Sequence, residues 1–196
     1  MAESRRGPRE RMVFSAAQLI RREGVTSAGM REVAALAGAP RGSLQHYFPG
    51  GKEQLVNEAV AWAGDYAARR ITRFVDGMPV PTPSGLFAAM AGQWTDEYRT
   101  VGFAGGCPVA AATADCAGTT PSTREAAKSA LAAWTAAVSG ALTDMGVPED
   151  RARGLATLMV SALEGAILTA RAELDVRALE SVVRELGPLL DSAVTH

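Results

Sequence analysis

The stretch that decides the fold runs Met30-Arg-Glu-Val-Ala-Ala-Leu-Ala-Gly-Ala-Pro-Arg-Gly-Ser-Leu-Gln-His-Tyr-Phe48. Its first half carries apolar residues at helical spacing and stops at Gly38. Its second half opens with Pro40 in a first helical turn, where the missing N–H costs nothing. The pattern therefore predicts two short helices, at about residues 30–37 and 40–47, joined by a tight turn. Those dimensions are typical of a helix-turn-helix.

The second of these helices is very polar for its length. In a helix-turn-helix this element enters the major groove of DNA with its first turn facing the base edges. Arg41 can fork onto guanine O6 and N7, and Gly42 lets the helix backbone approach the duplex closely. A solvated helix face is the alternative explanation. The residues predicted to contact DNA on this helix are Arg41, Gly42, Ser43, Gln45, His46 and Tyr47.

Lys52 extends the predicted DNA-binding site to the start of a fourth helix. A cation in a first helical turn opposes the helix dipole. A phosphate oxygen bound between that ammonium and the free N–H groups of the turn would compensate for this placement. Lys52 is therefore predicted to contact the DNA backbone, with a solvated surface lysine as the alternative.

The charge distribution agrees with DNA contact at one end of the chain. Residues 1–56 contain nine lysines or arginines against five acidic residues, whereas residues 57–196 contain eleven against sixteen. The net charge of −1 thus hides a basic N-terminal quarter on an acidic body. This asymmetry favours polyanion binding by the first quarter, although chance could produce a difference of a few charges.

Composition and periodicity predict an all-α protein of about nine helices. Aromatic residues make up only 6% of the 196 residues, and helical spacing of apolar residues recurs almost throughout. We expect an N-terminal three-helix helix-turn-helix domain at 1–51, with the start of the fourth helix running to about residue 60. A helical bundle is expected at 52–196. Its later helices are predicted at about 84–100, 106–117, 121–145, 148–174 and 176–194.

Several classes of function are disfavoured. Cys107 and Cys116 lie nine residues apart without a nearby histidine, which is not metal-ligand spacing. No catalytic pair, metal site or cofactor site is expected, so an enzyme is disfavoured. The best membrane-span candidate, residues 154–170, is interrupted by Glu164 and is shorter than the roughly 20 apolar residues that a span needs. With no signal-peptide pattern at the N-terminus, we expect a cytoplasmic protein without a membrane partner.

Large apolar side chains are concentrated between the fourth and eighth predicted helices. A cavity lined by aromatic rings and methionine in a helical bundle would suit a flat or lipophilic ligand. Core packing is the alternative for each of these residues. The predicted ligand-binding residues are Trp62, Tyr66, Phe87, Met90, Trp94, Tyr98, Phe103, Cys107, Trp134 and Met159.

The last two predicted helices have faces suited to self-association. The penultimate helix carries small residues that permit close helix approach, and the last carries an apolar stripe. Two such helices per subunit suit a two-fold four-helix interface, with burial inside one subunit as the alternative. The predicted dimer-interface residues are Leu155, Leu158, Ala162, Leu179, Val183, Leu186 and Leu190.

Taken together, these residues resemble a known family. Arg9-Glu-Arg-Met-Val, Gly24, the Met30–Phe48 stretch and Lys52-Glu-Gln-Leu look like the N-terminal domain of TetR-type transcriptional regulators. Gly106-Cys-Pro is similar to the LmrA/YxaF-like branch of that family. The resemblance implies an all-α homodimer that binds a double-stranded DNA operator and a small-molecule inducer.

The expectation is thus a ligand-responsive repressor with no cofactor, released from a pseudo-palindromic operator by a small hydrophobic or aromatic inducer. An activator on the same scaffold, or a helical ligand-binding or enzymatic bundle with a vestigial helix-turn-helix, are the alternatives. Three positions depart from the family pattern. Gly29 replaces the common Ser or Thr at the start of the second helix. Pro40 and Gln45 replace residues that often contact phosphate.

Overall fold

A computed structural model describes residues 7–40 and 43–195 of the chain. Within those ranges every regular element is an α-helix, which confirms the predicted fold class. Nine helices are present there, in agreement with the predicted number. They are α1 (Pro8–Ser27), α2 (Met30–Leu36), α3 (Ser43–Tyr47), α4 (Gly51–Asp76), α5 (Pro83–Val101), α6 (Pro108–Cys116), α7 (Pro121–Asp144), α8 (Glu149–Glu173) and α9 (Arg177–Asp191).

Helix α1 is interrupted at Gly24. Gly24 has φ 81° and ψ 173°, a backbone conformation that a residue with a Cβ adopts only with strain. One further helical turn follows the break and leads to Ser27. The chain then enters α2 through Gly29, whose carbonyl accepts the N–H of Val33 at 3.0 Å.

The two ends of the chain's predicted helices at 40 and 194 compare differently with the structure. The described part of α3 begins at Ser43, whose N–H and hydroxyl both donate to the Pro40 carbonyl, and residues 41–42 of the predicted helix lie outside the described residues. Helix α9 ends at Asp191 rather than at residue 194. There the chain turns, and the Thr195 N–H donates to the carbonyl of Gly146 at 3.1 Å.

The chain forms two compact units that do not follow chain order. Unit 1 comprises residues 1–65 and 107–131, and unit 2 comprises residues 66–106 and 132–196, each within the described ranges. Helices α4 and α7 each contribute one part to each unit. The predicted boundary between residues 51 and 52 falls at the start of α4, which continues unbroken, so the functional division at that point stays a prediction.

Unit 1 contains the helix-turn-helix. Helix α1 packs against α2 on one side and against α6 on another. The apolar residues that the helical pattern places inward are buried here, including Leu44 and Phe48 of the stretch quoted above. The largest side chains with almost no exposed surface in this unit are Met12, Ile20, Phe48 and Leu55.

Unit 2 is a bundle in which α9 packs along α5 and against α8. Asp191 caps α5 by accepting the N–H and the hydroxyl of Ser84 at 2.9 and 2.6 Å. Near the other end of the pair, Arg99 and Glu180 form an exposed ion pair at 2.7 Å. The two contacts lie at opposite ends of each helix, so they fix the antiparallel register of α5 and α9.

Among the described residues, helix α8 alone has the length and composition of a membrane-spanning helix. It is long enough for a membrane span and contains a window of mean hydropathy 1.3, yet 44% of that window is buried inside the protein itself. Its buried residues, among them Met159 and Leu163, form the centre of the bundle. This burial is typical of the core helix of a globular domain.

Candidate DNA-binding and ligand-binding sites

Helix α3 presents its polar and apolar residues on opposite faces. Leu44 and Phe48 are buried in unit 1, whereas Gln45 and His46 are exposed and Ser43 and Tyr47 are half-buried. The His46 and Tyr47 rings meet edge to face, with centroids 5.1 Å apart. The other two residues that were predicted to contact DNA together with these, Arg41 and Gly42, lie outside the described residues. The described part of the helix therefore offers a compact outward surface of hydrogen-bonding groups.

The inward face of α3 is anchored to α1 and α4. The Arg9 guanidinium lies over the Phe48 ring, 5.2 Å from its centroid. The same guanidinium donates to Glu58 of α4 at 2.6 Å. Because Phe48 is fully buried beneath it, the arginine links three helices around the end of α3. A short helix held in this way keeps its outward face in a defined orientation.

Lys52 lies in the first turn of α4, as predicted, but it also has a partner within unit 1. Its ammonium donates to the carbonyl of Thr26, near the end of α1, at 2.9 Å. An ammonium carries three donors, so this bond leaves two for a phosphate. The intramolecular bond fixes the position of the charge, which the sequence pattern did not reveal.

At the start of α2, the glycine that departs from the family pattern leaves room for the side chain of Glu32. A Cβ on Gly29 would meet the Glu32 carboxylate, which folds back over the beginning of its own helix. Glu32 is the acidic residue of the first turn of α2, where a negative charge is favoured by the helix dipole. The carboxylate thus occupies the space where a serine or threonine side chain would lie.

Three of the predicted ligand-binding aromatic residues form a chain of rings in unit 2. The Trp94 and Tyr98 centroids are 5.9 Å apart on α5, and Tyr98 and Phe103 are 4.8 Å apart. Tyr98 is buried, while Trp94 and Phe103 are half-buried. Arg171 of α8 holds the segment after α5 by donating to the carbonyls of Phe103 and Ala104 at 3.3 and 3.1 Å.

Four further predicted ligand-binding residues lie deep in unit 2. Phe87, Met90 and Met159 have no exposed surface, so each is packed in the core of the unit. Trp134 is 4% exposed, and its indole N–H has no hydrogen-bond partner among the described residues. A buried donor without an acceptor is costly, which distinguishes Trp134 from the purely apolar residues around it.

The remaining three predicted ligand-binding residues have other surroundings. Trp62 belongs to unit 1, where its ring packs edge-on against Phe14 of α1 at 5.3 Å. Cys107 also belongs to unit 1 and stands at the beginning of α6. Tyr66 is 38% exposed and bonds Arg70 through its hydroxyl at 2.9 Å. The structure therefore does not place these three in the ring chain of unit 2.

The predicted dimer residues separate into two groups. Leu155, Leu179 and Leu190 are buried within unit 2 itself, at 6% exposure or less, so they have almost no surface left for a partner. Their place in the interface stays a prediction, and their burial favours the alternative of packing inside one subunit, where α9 packs on α5 and α8. The residues that keep accessible surface are Leu158, Ala162, Val183 and Leu186.

The sequence analysis named Leu158 and the small residues of α8 but did not identify the exposed stripe to which they belong. Gly154, Leu158, Ser161, Gly165 and Leu168 are all exposed and recur every three or four residues, so they share one face of the helix. Leu168 is 69% exposed and Leu158 is 38% exposed. The sequence does show large apolar residues separated by small ones along this helix. It does not show that they lie on the exposed face, which becomes clear only because the opposite face of α8 is buried in the core.

No group of three or more His, Cys, Asp and Glu residues able to hold a metal ion occurs in residues 7–40 and 43–195. Both cysteines are buried free thiols. Burial raises the pKa of the Cys116 thiol, and the neighbouring Asp115 carboxylate raises it further. Such a thiol stays protonated and is a poor nucleophile.

Comparison with known proteins defines the class of this chain. Residues 15–59 match the model of bacterial regulatory proteins of the tetR family, and residues 83–185 match the C-terminal domain of LmrA/YxaF-like transcriptional regulators. The chain belongs to the TetR family of transcriptional regulators and carries a helix-turn-helix DNA-binding domain. Within that family it is a member of the LmrA/YxaF-like branch.

Individual relatives agree with this assignment. An HTH-type transcriptional regulator of Mycobacterium tuberculosis is 40% identical over 189 residues, with 94% of each chain covered. The HTH-type transcriptional regulator LmrA of Bacillus subtilis is 29% identical over 160 residues, covering 82% of this chain and 84% of LmrA. A TetR regulator from Legionella pneumophila, 20% identical, shares the fold with a TM-score of 0.80 over 94% of this chain and 98% of its own.

Proposed function

We propose that this protein is a ligand-responsive repressor that binds a pseudo-palindromic operator as a homodimer in the cytoplasm. The observation that carries the proposal is the orientation of α3, where Gln45 and His46 are exposed while Leu44 and Phe48 are buried. A short helix with hydrogen-bonding groups on its free face, following a first helix and a turn, is the arrangement that reads base edges in the major groove.

In the proposed complex, α3 supplies base contacts and its neighbours supply phosphate contacts. Arg41, Gln45 and His46 are assigned to base edges, because their donors and acceptors match those in the major groove. Lys52 is assigned to a phosphate, because its ammonium is held at one point by Thr26 and keeps donors to spare. Ser43 and Tyr47, half-buried at the border of the helix, complete the contact surface.

The proposed dimer uses the exposed stripe of α8 with the accessible residues of α9. Leu158 and Leu168 would pack between small residues of the partner helix, which allow the two backbones to approach. Val183 and Leu186 would extend the contact along α9. Because the same two helices of each subunit meet, the interface is isologous and places two recognition helices on two half-sites.

The proposed inducer is a flat, largely apolar molecule. The ring chain of Trp94, Tyr98 and Phe103 offers aromatic faces and edges for stacking. The buried indole N–H of Trp134 favours a ligand that also carries an oxygen acceptor. An inducer that binds one conformation of the dimer better than the DNA-bound one lowers operator affinity by that difference in binding free energy.

The test begins with selection of DNA from a random 30-bp library by the wild-type protein. We expect an enriched inverted repeat, and release of the selected duplex by planar aromatic compounds but not by sugars or amino acids. Placing the selected site upstream of a reporter gene should lower transcription when the protein is present. Failure to enrich any sequence would contradict operator binding, and raised transcription would assign an activator instead.

A further inference from the structure

Two charged side chains from distant parts of unit 1 converge on neighbouring residues of α1. Asp115 of α6 accepts the backbone N–H of Val25 at 2.7 Å. Lys52 of α4 donates to the backbone carbonyl of Thr26 at 2.9 Å. Val25 and Thr26 directly follow the break at Gly24 and belong to residues 24–29, which form the α1–α2 corner. One carboxylate and one ammonium thus hold consecutive peptide groups of this corner.

Both charges stand where their own helix disfavours them. Asp115 is in the last turn of α6, where the helix dipole disfavours an anion. Lys52 is in the first turn of α4, where the dipole disfavours a cation. Each charge gains a charge-assisted hydrogen bond to the corner, which is stronger than a bond between neutral groups. The same unfavourable placement at both helix ends indicates that the corner contacts offset it.

Gly24 is matched to the Asp115 carboxylate. A Cβ at Gly24 would lie 2.6 Å from Asp115 Oδ2, too close for any side chain to fit without moving the carboxylate. The positive φ of Gly24 turns the chain so that the next N–H points at this oxygen. The break in α1 therefore both leaves room for the Asp115 carboxylate of α6, 90 residues further along the chain, and directs the Val25 N–H toward it.

The corner leads directly into the helix-turn-helix. The Ala28 N–H donates to the Gly24 carbonyl at 3.2 Å, and the Gly29 N–H donates to the Ser27 carbonyl at 2.8 Å. The next residue, Met30, begins α2, whose Val33 is fully buried. The conformation of residues 24–29 therefore sets where α2 starts, and through the tight turn after α2 it sets the position of α3.

We propose that Asp115 is a positioning residue for DNA binding, which fixes the α1–α2 corner in the conformation that the DNA-bound helix-turn-helix requires. An exposed acid in a domain that contacts phosphates repels DNA, so its contribution comes through the Val25 N–H and not through the nucleic acid. The inference rests on the DNA-binding function of the family and not on the repressor or inducer assignments.

The experiment compares Asp115→Ala with Asp115→Asn, which remove the same charge. Asparagine keeps a side-chain oxygen that can accept the Val25 N–H, whereas alanine does not. With the duplex selected by the wild-type protein as probe, we expect Asp115→Ala to bind about tenfold more weakly. Asp115→Asn should stay within about threefold of wild type. Both variants should be as dimeric as wild type, with melting temperatures close to it, because residue 115 is exposed.

Two readouts separate positioning from a direct or merely structural role. Hydrogen exchange measured by mass spectrometry without DNA should be faster over residues 21–29 in Asp115→Ala, normal in Asp115→Asn, and unchanged over residues 12–20 in both. The dependence of DNA affinity on salt should keep its slope in Asp115→Ala, because no phosphate contact is lost. A phosphate-contact residue would reduce that slope by about one.

Three outcomes would overturn the proposal. Wild-type DNA affinity in Asp115→Ala together with fast exchange would show that DNA binding tolerates a loosened corner. Equal losses in Asp115→Ala and Asp115→Asn would assign the effect to charge. Unchanged exchange over residues 21–29 would show that the contact does not hold the corner. If the wild-type protein selects no duplex, DNA binding itself fails, and the exchange experiment still tests the contact.

Discussion

Helix α3 and the ring chain of unit 2 are both built from side chains that sequence reasoning singled out, yet the sequence specifies the first much more tightly. Polar groups on so short a helix have few structural uses, so the exposed Gln45 and His46 favour a binding surface as their explanation. Trp94, Tyr98 and Phe103 are equally suited to packing and to lining a cavity, because both need large apolar rings. Residue type identifies a function when the core has no use for that residue.

The largest expected effect tests the unit 2 side of this comparison. Phe87→Ala removes a ring with no exposed surface and should lower the free energy of unfolding by about 3–5 kcal/mol in a urea titration. Trp94→Ala removes a half-buried ring, so it should cost less stability. It should also weaken the binding of a planar compound that releases DNA by about 1 kcal/mol. Trp94 would belong to the core if Trp94→Ala destabilises the protein as much as Phe87→Ala does and the compound still releases DNA at the concentration that the wild-type protein needs.

The second largest expected effect concerns the proposed dimer interface. Leu168→Arg places a charge in the exposed stripe of α8 and should weaken dimerisation by about 2–4 kcal/mol, giving a monomer by light scattering at micromolar concentration. Leu174→Arg is the matched control, because both leucines are 69% exposed but Leu174 follows the end of the helix and lies off the stripe. A Leu168→Arg protein that remains dimeric would move the interface elsewhere.

The helices themselves were largely predictable from the sequence, because capping residues and the spacing of apolar residues act locally. The end of α9 was predicted three residues too late, because the chain turns after Asp191 and brings the Thr195 N–H to the Gly146 carbonyl. Such a boundary depends on a contact across the fold, which the local sequence pattern does not describe.

The parts of the sites that could not be predicted depend on contacts across the fold. Leu155, Leu179 and Leu190 fit an apolar stripe equally well whether it faces the core or a partner, and only the folded chain shows that they are buried within unit 2. The contact between Asp115 and Val25 joins residues 90 positions apart. Its only local signal was an acid in the last turn of a helix.

A substitution at Lys52 tests whether phosphate contacts and base contacts contribute separately to DNA binding. Lys52→Ala should weaken binding to the selected duplex and to a scrambled duplex by a similar amount, about 1 kcal/mol, and reduce the salt slope by about one. Fluorescence anisotropy over a series of salt concentrations measures both quantities. An unchanged slope would assign Lys52 to its bond with Thr26 alone.

The smallest effect concerns the start of α2. Glu32→Gln removes an exposed negative charge beside Gly29 and should raise affinity for every duplex by about 0.3–1 kcal/mol while lowering stability by a similar amount. Anisotropy and thermal melting of the same samples test the two opposite changes. Glu10→Gln, in the first turn of α1, is the charge-matched control. A drop in DNA affinity would show that the Glu32 carboxylate supports the bound conformation.

The most direct test of the central claim measures sequence discrimination by α3. Binding free energies of wild type, Arg41→Ala and Gln45→Ala are compared on the selected duplex and on a scrambled duplex of equal composition at one salt concentration. If these side chains read bases, each variant should lose about 1–3 kcal/mol on the selected duplex and little on the scrambled one. Equal losses on both duplexes, or no loss on either, would contradict base reading by this helix.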